Sequence, residues 1–64
     1  MPGTIRENIK PGLHVEIVQK QDQATDKLTP GIVADILTNS SQHPRGIKVR
    51  LATGEVGRVK NIIA

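Results

Sequence analysis

Five cations occupy the last third of the chain at spacings that could do chemistry. Arg45, Lys48, Arg50, Arg58 and Lys60 stand against one carboxylate, Glu55, over residues 40–64. Residues 1–39 hold Arg6, Lys10, Lys20 and Lys27 against Glu7, Glu16, Asp22, Asp26 and Asp35. The formal charge of +3 is therefore concentrated at one end, the footprint expected of a protein that meets an anionic partner. The alternative is a solvated surface that keeps the chain apart from its neighbours. A polar segment, TNSSQHPRG at 38–46, adds the neutral hydrogen-bonding groups of Asn39, Ser40, Ser41, Gln42 and His43 beside Arg45. Such groups can grip a ribose or a phosphate, and Asn39, Ser40 and His43 are the auxiliary candidates.

Other chemistry has little support. Ser40 or Ser41 with His43 and Asp35 supplies the residue types of a nucleophilic triad, without a nucleophile-elbow sequence or an evident oxyanion hole. His14 and His43, in a chain lacking cysteine, make a poor zinc site. There is no phosphate-cradling glycine loop, and a short chain leaves little volume for a substrate pocket. The expectation is a binding protein that is not an enzyme, with no cofactor, no metal and no small-molecule substrate.

The absence of Phe, Tyr and Trp narrows the ligand. Binders of single-stranded nucleic acid stack bases on aromatic rings, each contributing about 1–3 kcal/mol. Proline-rich peptide grooves and methyl-lysine cages need the same rings. Recognition of a phosphate backbone by charge and shape needs none, and suits structured RNA. The expected partner is RNA, with ribosomal RNA among the candidates, or else an acidic protein surface.

Those cations need elements to position them. LHVEIV at 13–18 alternates Leu13, Val15 and Ile17 with His14 and Glu16, the pattern of a half-buried strand. QKQDQATDK at 19–27 reads as an exposed loop, with Leu28 returning the chain to the core. Thr29, Pro30 and Gly31 read as a type II turn. GIVADIL at 31–37, nearly continuous and β-branched, predicts a central strand covered on most of both faces. IKVRL at 47–51 and EVGRVKNII at 55–63 complete the set. At the N-terminus, Thr4 and Glu7 fit a capping box, with Ile5 and Ile9 on one face of a helical turn that ends at Pro11-Gly12. A frayed tail over residues 1–8 is the alternative.

Strands separated by turns with almost no helix indicate an all-β single domain over residues 1–64. A small SH3-like antiparallel barrel of four to five strands fits best, and a truncated OB-like meander is the runner-up. A domain of this size buries only about 60% of its unfolded surface. With no cysteine, no signal core and no apolar run near the roughly 20 residues that span a bilayer, a cytoplasmic protein with no membrane contact is expected.

The last two strands decide where the cations point. A two-residue connection at Thr53-Gly54 would set Val49 opposite Arg58 and force a cation onto a buried face. A three-residue loop, 52–54 with Gly54 left-handed, shifts the pairing by one. Ile47, Val49, Leu51 and Val59 then line the core while Lys48, Arg50 and Arg58 share the outer face, with Lys60 following if the strand stays regular. A one-residue slip exchanges the faces, so burial selects this register. It leaves Val56 outside and Glu55 inside, which a bulge at Gly57 would repair. It also sets Lys48 directly opposite Arg58, a like-charge pair that Glu16, Asp35 or an anionic ligand would have to relieve.

The stretches KPGLHVEIVQKQDQ, KLTPGIVADILTNS, HPRGIKVRL and GEVGRVKNI closely resemble the YwbE-like family, short bacterial proteins grouped as a domain of unknown function. The resemblance covers about residues 9–63. More loosely, PGLHVEIV, a polar loop, GIVADIL and IKVRLATGEV follow the layout of KOW-type SH3-like barrels in ribosomal proteins and transcription elongation factors, with the 38–46 loop interrupting the compact KOW signature. That likeness implies RNA contacts from Arg45, Lys48, Arg50, Arg58 and Lys60.

Overall fold

In a computed structural model, which describes residues 4–63, four antiparallel strands close into one barrel. They are β1 (His14–Gln19), β2 (Thr29–Ile36), β3 (Lys48–Leu51) and β4 (Val56–Ile62), each paired with the next, and β4 returns to β1. The layout is that of an SH3- or KOW-like barrel, led by a short 3-10 turn at Arg6–Asn8. The inward-facing residues of all four strands meet in a single core of Val15, Ile17, Val33, Val49, Leu51 and Val59, with Ile9 and Ile47 supplied by the flanking segments. Closure removes the unpaired strand edges that so small a sheet would otherwise expose.

Two bulges make that closure possible. In β2, Val33 pairs with Leu51 but Asp35 with Arg50, so Ala34 is the extra residue. In β4, Asn61 pairs with Glu16 but Val59 with Ile17, so Lys60 is the extra residue. Each bends its strand and tightens the local twist.

The apolar run of β2 is covered on one face only. Ile32 is 42% exposed on the outside of the barrel, because no second layer packs against this sheet. Thr29, Pro30 and Gly31 are strand rather than turn, with Pro30 opposite Glu16. The β2–β3 ladder spans only Val33 to Ile36, so at residue 30 the flank of β2 away from β1 carries no ladder, and a residue without an N–H is tolerated. A Cβ at Gly31 would lie 2.6 Å from Leu51 Cδ1, so any larger residue there requires the Leu51 side chain to shift. Leu28 does not return the chain to the core and is 38% exposed.

At the N-terminus the N-cap of the 3-10 turn is Ile5, not Thr4. The backbone at Ile5 is extended and bridges Gln42, so the turn starts after Ile5 and Thr4 cannot occupy its N-cap. Ile9 does cover the end of the core. Residues 4–6 are fastened to the 38–46 loop: the Arg6 amide donates to the Ser41 carbonyl (2.9 Å), the His43 amide to the Thr4 carbonyl (2.9 Å), and Arg6 Nε to the Thr38 carbonyl (2.8 Å). Of the segment expected to fray, residues 1–3 lie outside the described residues.

Candidate nucleic-acid interface

The β3–β4 hairpin adopts the register that burial selects. Lys48 pairs with Arg58, Val49 with Gly57 and Arg50 with Val56. The connection is 52–54, with Gly54 at φ +101 and its amide donating to the Leu51 carbonyl (2.9 Å). Ile47, Val49, Leu51 and Val59 are buried, so Lys48, Arg50 and Arg58 project from the outer face.

Val56 lies outside as expected, but no register shift at Gly57 corrects it. Gly57 serves a different contact, since a Cβ there would lie 2.5 Å from the Val18 carbonyl oxygen. The strands β1 and β4 come together across it. The Glu55 carboxylate does not enter the barrel. It accepts from the Thr53 hydroxyl at the surface, and that bond, with one from its own backbone, holds its pKa below the ordinary 4.5. A depressed carboxylate stabilises the fold above its unfolded pKa and ceases to do so as pH falls through the folded value. In Thr53→Val, the Glu55 titration followed by NMR should therefore move up toward 4.5.

Each cation has a distinct environment. Arg50 is committed: its Nη1 donates to Asp35 Oδ2 at 3.0 Å across β2 and β3, the only ion pair among the described residues. Arg58 is half-buried, and its Nη1 donates to the Gly46 carbonyl (3.1 Å), which orients the guanidinium. Lys48 is exposed. Of the two carboxylates expected to relieve the Lys48–Arg58 pair, Asp35 is taken by Arg50 and Glu16 accepts from Asn61 Nδ2 (3.1 Å). The like-charge pair is thus left without a carboxylate partner among the described residues. Replacing Lys48 with Thr should raise stability by a few tenths to about 1 kcal/mol, seen as a small rise in Tm. A lower Tm would mean that the Lys48 stem contributes more through packing than its charge costs.

The remaining cations converge from other elements. The turn after β1, which begins with the 3-10 segment Lys20–Asp22, folds back over Val18. Val18 faces outward opposite Arg58, yet is only 4% exposed. A cavity of about 260 Å³ opens there, lined by Val18, Gln23, Asp26, Arg45, Arg58 and Lys60. Lys60 reaches it although the strand is bulged at that residue. A broader concavity adjoins it across Arg58, bordered by Lys20, Lys48 and Glu55.

Four of the five expected cations thus border one continuous surface, and Arg50 stands apart with Asp35. The auxiliary loop is divided. Arg45 turns toward Arg58 and Lys60, whereas His43 lines a separate depression with Thr4, Gln42 and Pro44. Asn39 and Ser40 are exposed and line neither basic concavity. Sequence reasoning did not single out Lys20, Gln23 or Asp26. Their proximity depends on how the 20–26 turn folds back, which hydrophobic periodicity does not encode.

The family described as uncharacterized conserved protein (DUF2196) matches residues 2–62. The chain belongs to this family. It is also 55% identical over 64 residues to the uncharacterized protein YwbE of Bacillus subtilis (strain 168), covering 100% of this chain and 98% of that protein. No solved structure gives a significant match.

In this DUF2196 barrel the residue types of a triad do not assemble. Asp35 is bonded to Arg50, and His43 Nδ1 accepts from the Arg45 amide (3.1 Å). Among the described residues no three His, Cys, Asp or Glu side chains form a group that could hold a metal ion, and no helix is long and apolar enough to cross a membrane.

Proposed function

We propose that the barrel is a small RNA-binding module that contacts phosphate backbone through the outer face of its β3–β4 hairpin. The observation that carries this reading is Lys48 set opposite Arg58 with no carboxylate among the described residues bonded to either. Lys20, Arg45 and Lys60 extend the surface on both sides of Arg58, against only Asp26 and Glu55. A marginal domain has no structural use for such crowding, whereas phosphates spaced along a backbone relieve it. Lacking aromatic rings, the surface reads charge and backbone shape, which points to structured RNA in the cytoplasm, ribosomal RNA included. The role is binding rather than catalysis, and Arg50, already neutralised, contributes least.

The deciding measurement is RNA affinity as a function of salt. Three to five phosphate contacts should give a log–log slope of roughly −2 to −4. A flat dependence, or binding to an acidic protein at one-to-one stoichiometry with none to RNA, would sink the reading.

A further inference from the structure

The cavity beneath the 20–26 turn differs in kind from the open surface beside it. Three cations, Arg45, Arg58 and Lys60, line it together with one carboxylate, Asp26, and one amide, Gln23. Asp26 forms an ion pair with none of the three. Its backbone lies at φ +55, the left-handed region, so the chain turns sharply there to bring this side chain to the cavity wall. The local excess is two positive charges. That exceeds a phosphodiester's single negative charge and matches a terminal phosphomonoester, which carries about −1.5 to −2 at pH 7. The volume, about 260 Å³, is just below the roughly 300 Å³ at which ligand pockets begin. It suits one phosphate with its sugar better than a whole cofactor. A carboxylate beside a phosphate site is the group that accepts from ribose hydroxyls.

Resting on the RNA reading above, we infer that this cavity takes a phosphorylated ribose end: the phosphomonoester on Arg45, Arg58 and Lys60, and a ribose hydroxyl donating to Asp26. The hairpin would then hold the backbone that follows, and the cavity would favour cut or processed RNA ends over continuous strand. The 2′-hydroxyl contact gives the site a means of telling RNA from DNA.

The full chain would be titrated with one short RNA carrying a 5′-phosphate, a 3′-phosphate or hydroxyls at both ends, and with DNA of the same sequence carrying each of the same ends. One phosphorylated RNA should bind about tenfold tighter than the hydroxyl form, the effect of a single charge-assisted contact. Whether it is the 5′ or the 3′ form identifies the end. Arg45→Gln should erase that gain. Asp26→Gly, which fits the left-handed backbone and removes the acceptor, should keep the gain and lose the preference for RNA over DNA. Equal binding of phosphate and hydroxyl forms would overturn this inference and leave the hairpin reading standing. AMP, titrated alone while amide shifts are followed by NMR, separates the remaining cases. Shifts at Gln23, Asp26 and Lys60 without any RNA binding would assign the cavity to free nucleotides and overturn the hairpin reading. No response to AMP or to RNA would overturn both.

Discussion

Reversing both facing charges, Lys48→Glu with Arg58→Glu, is expected to lower RNA affinity by at least about 100-fold, since each lost charge-assisted contact costs about 1.5–3 kcal/mol. The salt slope should fall by about 1.4, the share of two contacts on a single strand. The fold should survive. Lys48 is exposed, and the Arg58 side chain makes one bond, to the Gly46 carbonyl, whose loss costs about 1 kcal/mol. Two glutamates in the same pair repel as the two cations did, so the cross-strand term is unchanged in sign. Arg50→Gln is the internal control. Its guanidinium is held by Asp35 on the neighbouring strand, so the affinity should change several-fold at most. A double variant that melts normally and binds as well as the parent would remove the hairpin from the interface.

The hairpin was legible because one register was physically excluded. With a two-residue turn Arg58 would have entered the face of Val49, and burying an unpaired cation in a core of eight aliphatic side chains has no compensation available. Alternation, turn length and charge all pointed to the same pairing. Pro30 was misleading for the opposite reason. Its chemistry suits a turn equally well, and only the absence of a β3 partner beside it shows why a strand accepts it. The apolar run of β2 likewise resembled a strand covered twice, when one bulge and an exposed Ile32 account for it.

The cavity was the least legible part, although it left one trace. In LHVEIV the alternation breaks at Ile17-Val18, where two successive residues are apolar and both are buried. A strand facing water on its outside has no reason to bury Val18 unless something covers it, and the 20–26 turn does. The doublet therefore announces a covering segment without naming it. Lys20, Gln23 and Asp26 enter the site only through that covering, so no spacing along the chain connects them to Arg58.

Gly46→Ala should be the most damaging glycine-to-alanine change among the described residues. Gly46 has φ +103, where an L side chain costs about 1–2 kcal/mol. Its Cβ would also strike the Val59 carbonyl oxygen, a backbone atom of β4. That atom cannot retreat, because Val59 is paired with Ile17 of β1 and its amide donates to the Ile47 carbonyl at 2.9 Å. Moving it would open the barrel seam. The combined loss should reach about 3 kcal/mol, lowering Tm by roughly 12–24 °C. A chain of 64 residues has only about 3–10 kcal/mol in total. Gly54 supplies the comparison, with φ +101 and nothing within 4 Å of its missing Cβ. Gly54→Ala should cost only the conformational part, about 1–2 kcal/mol, and Gly54→Asn less. If Gly46→Ala and Gly54→Ala melt together, backbone conformation alone matters and the close approach to β4 carries no weight. If they separate, Gly46 is the point at which the 38–46 loop is pressed onto the seam, with its carbonyl fixing Arg58 and its position fixing Arg45 one residue before. The fold and the basic cavity would then share a single backbone constraint.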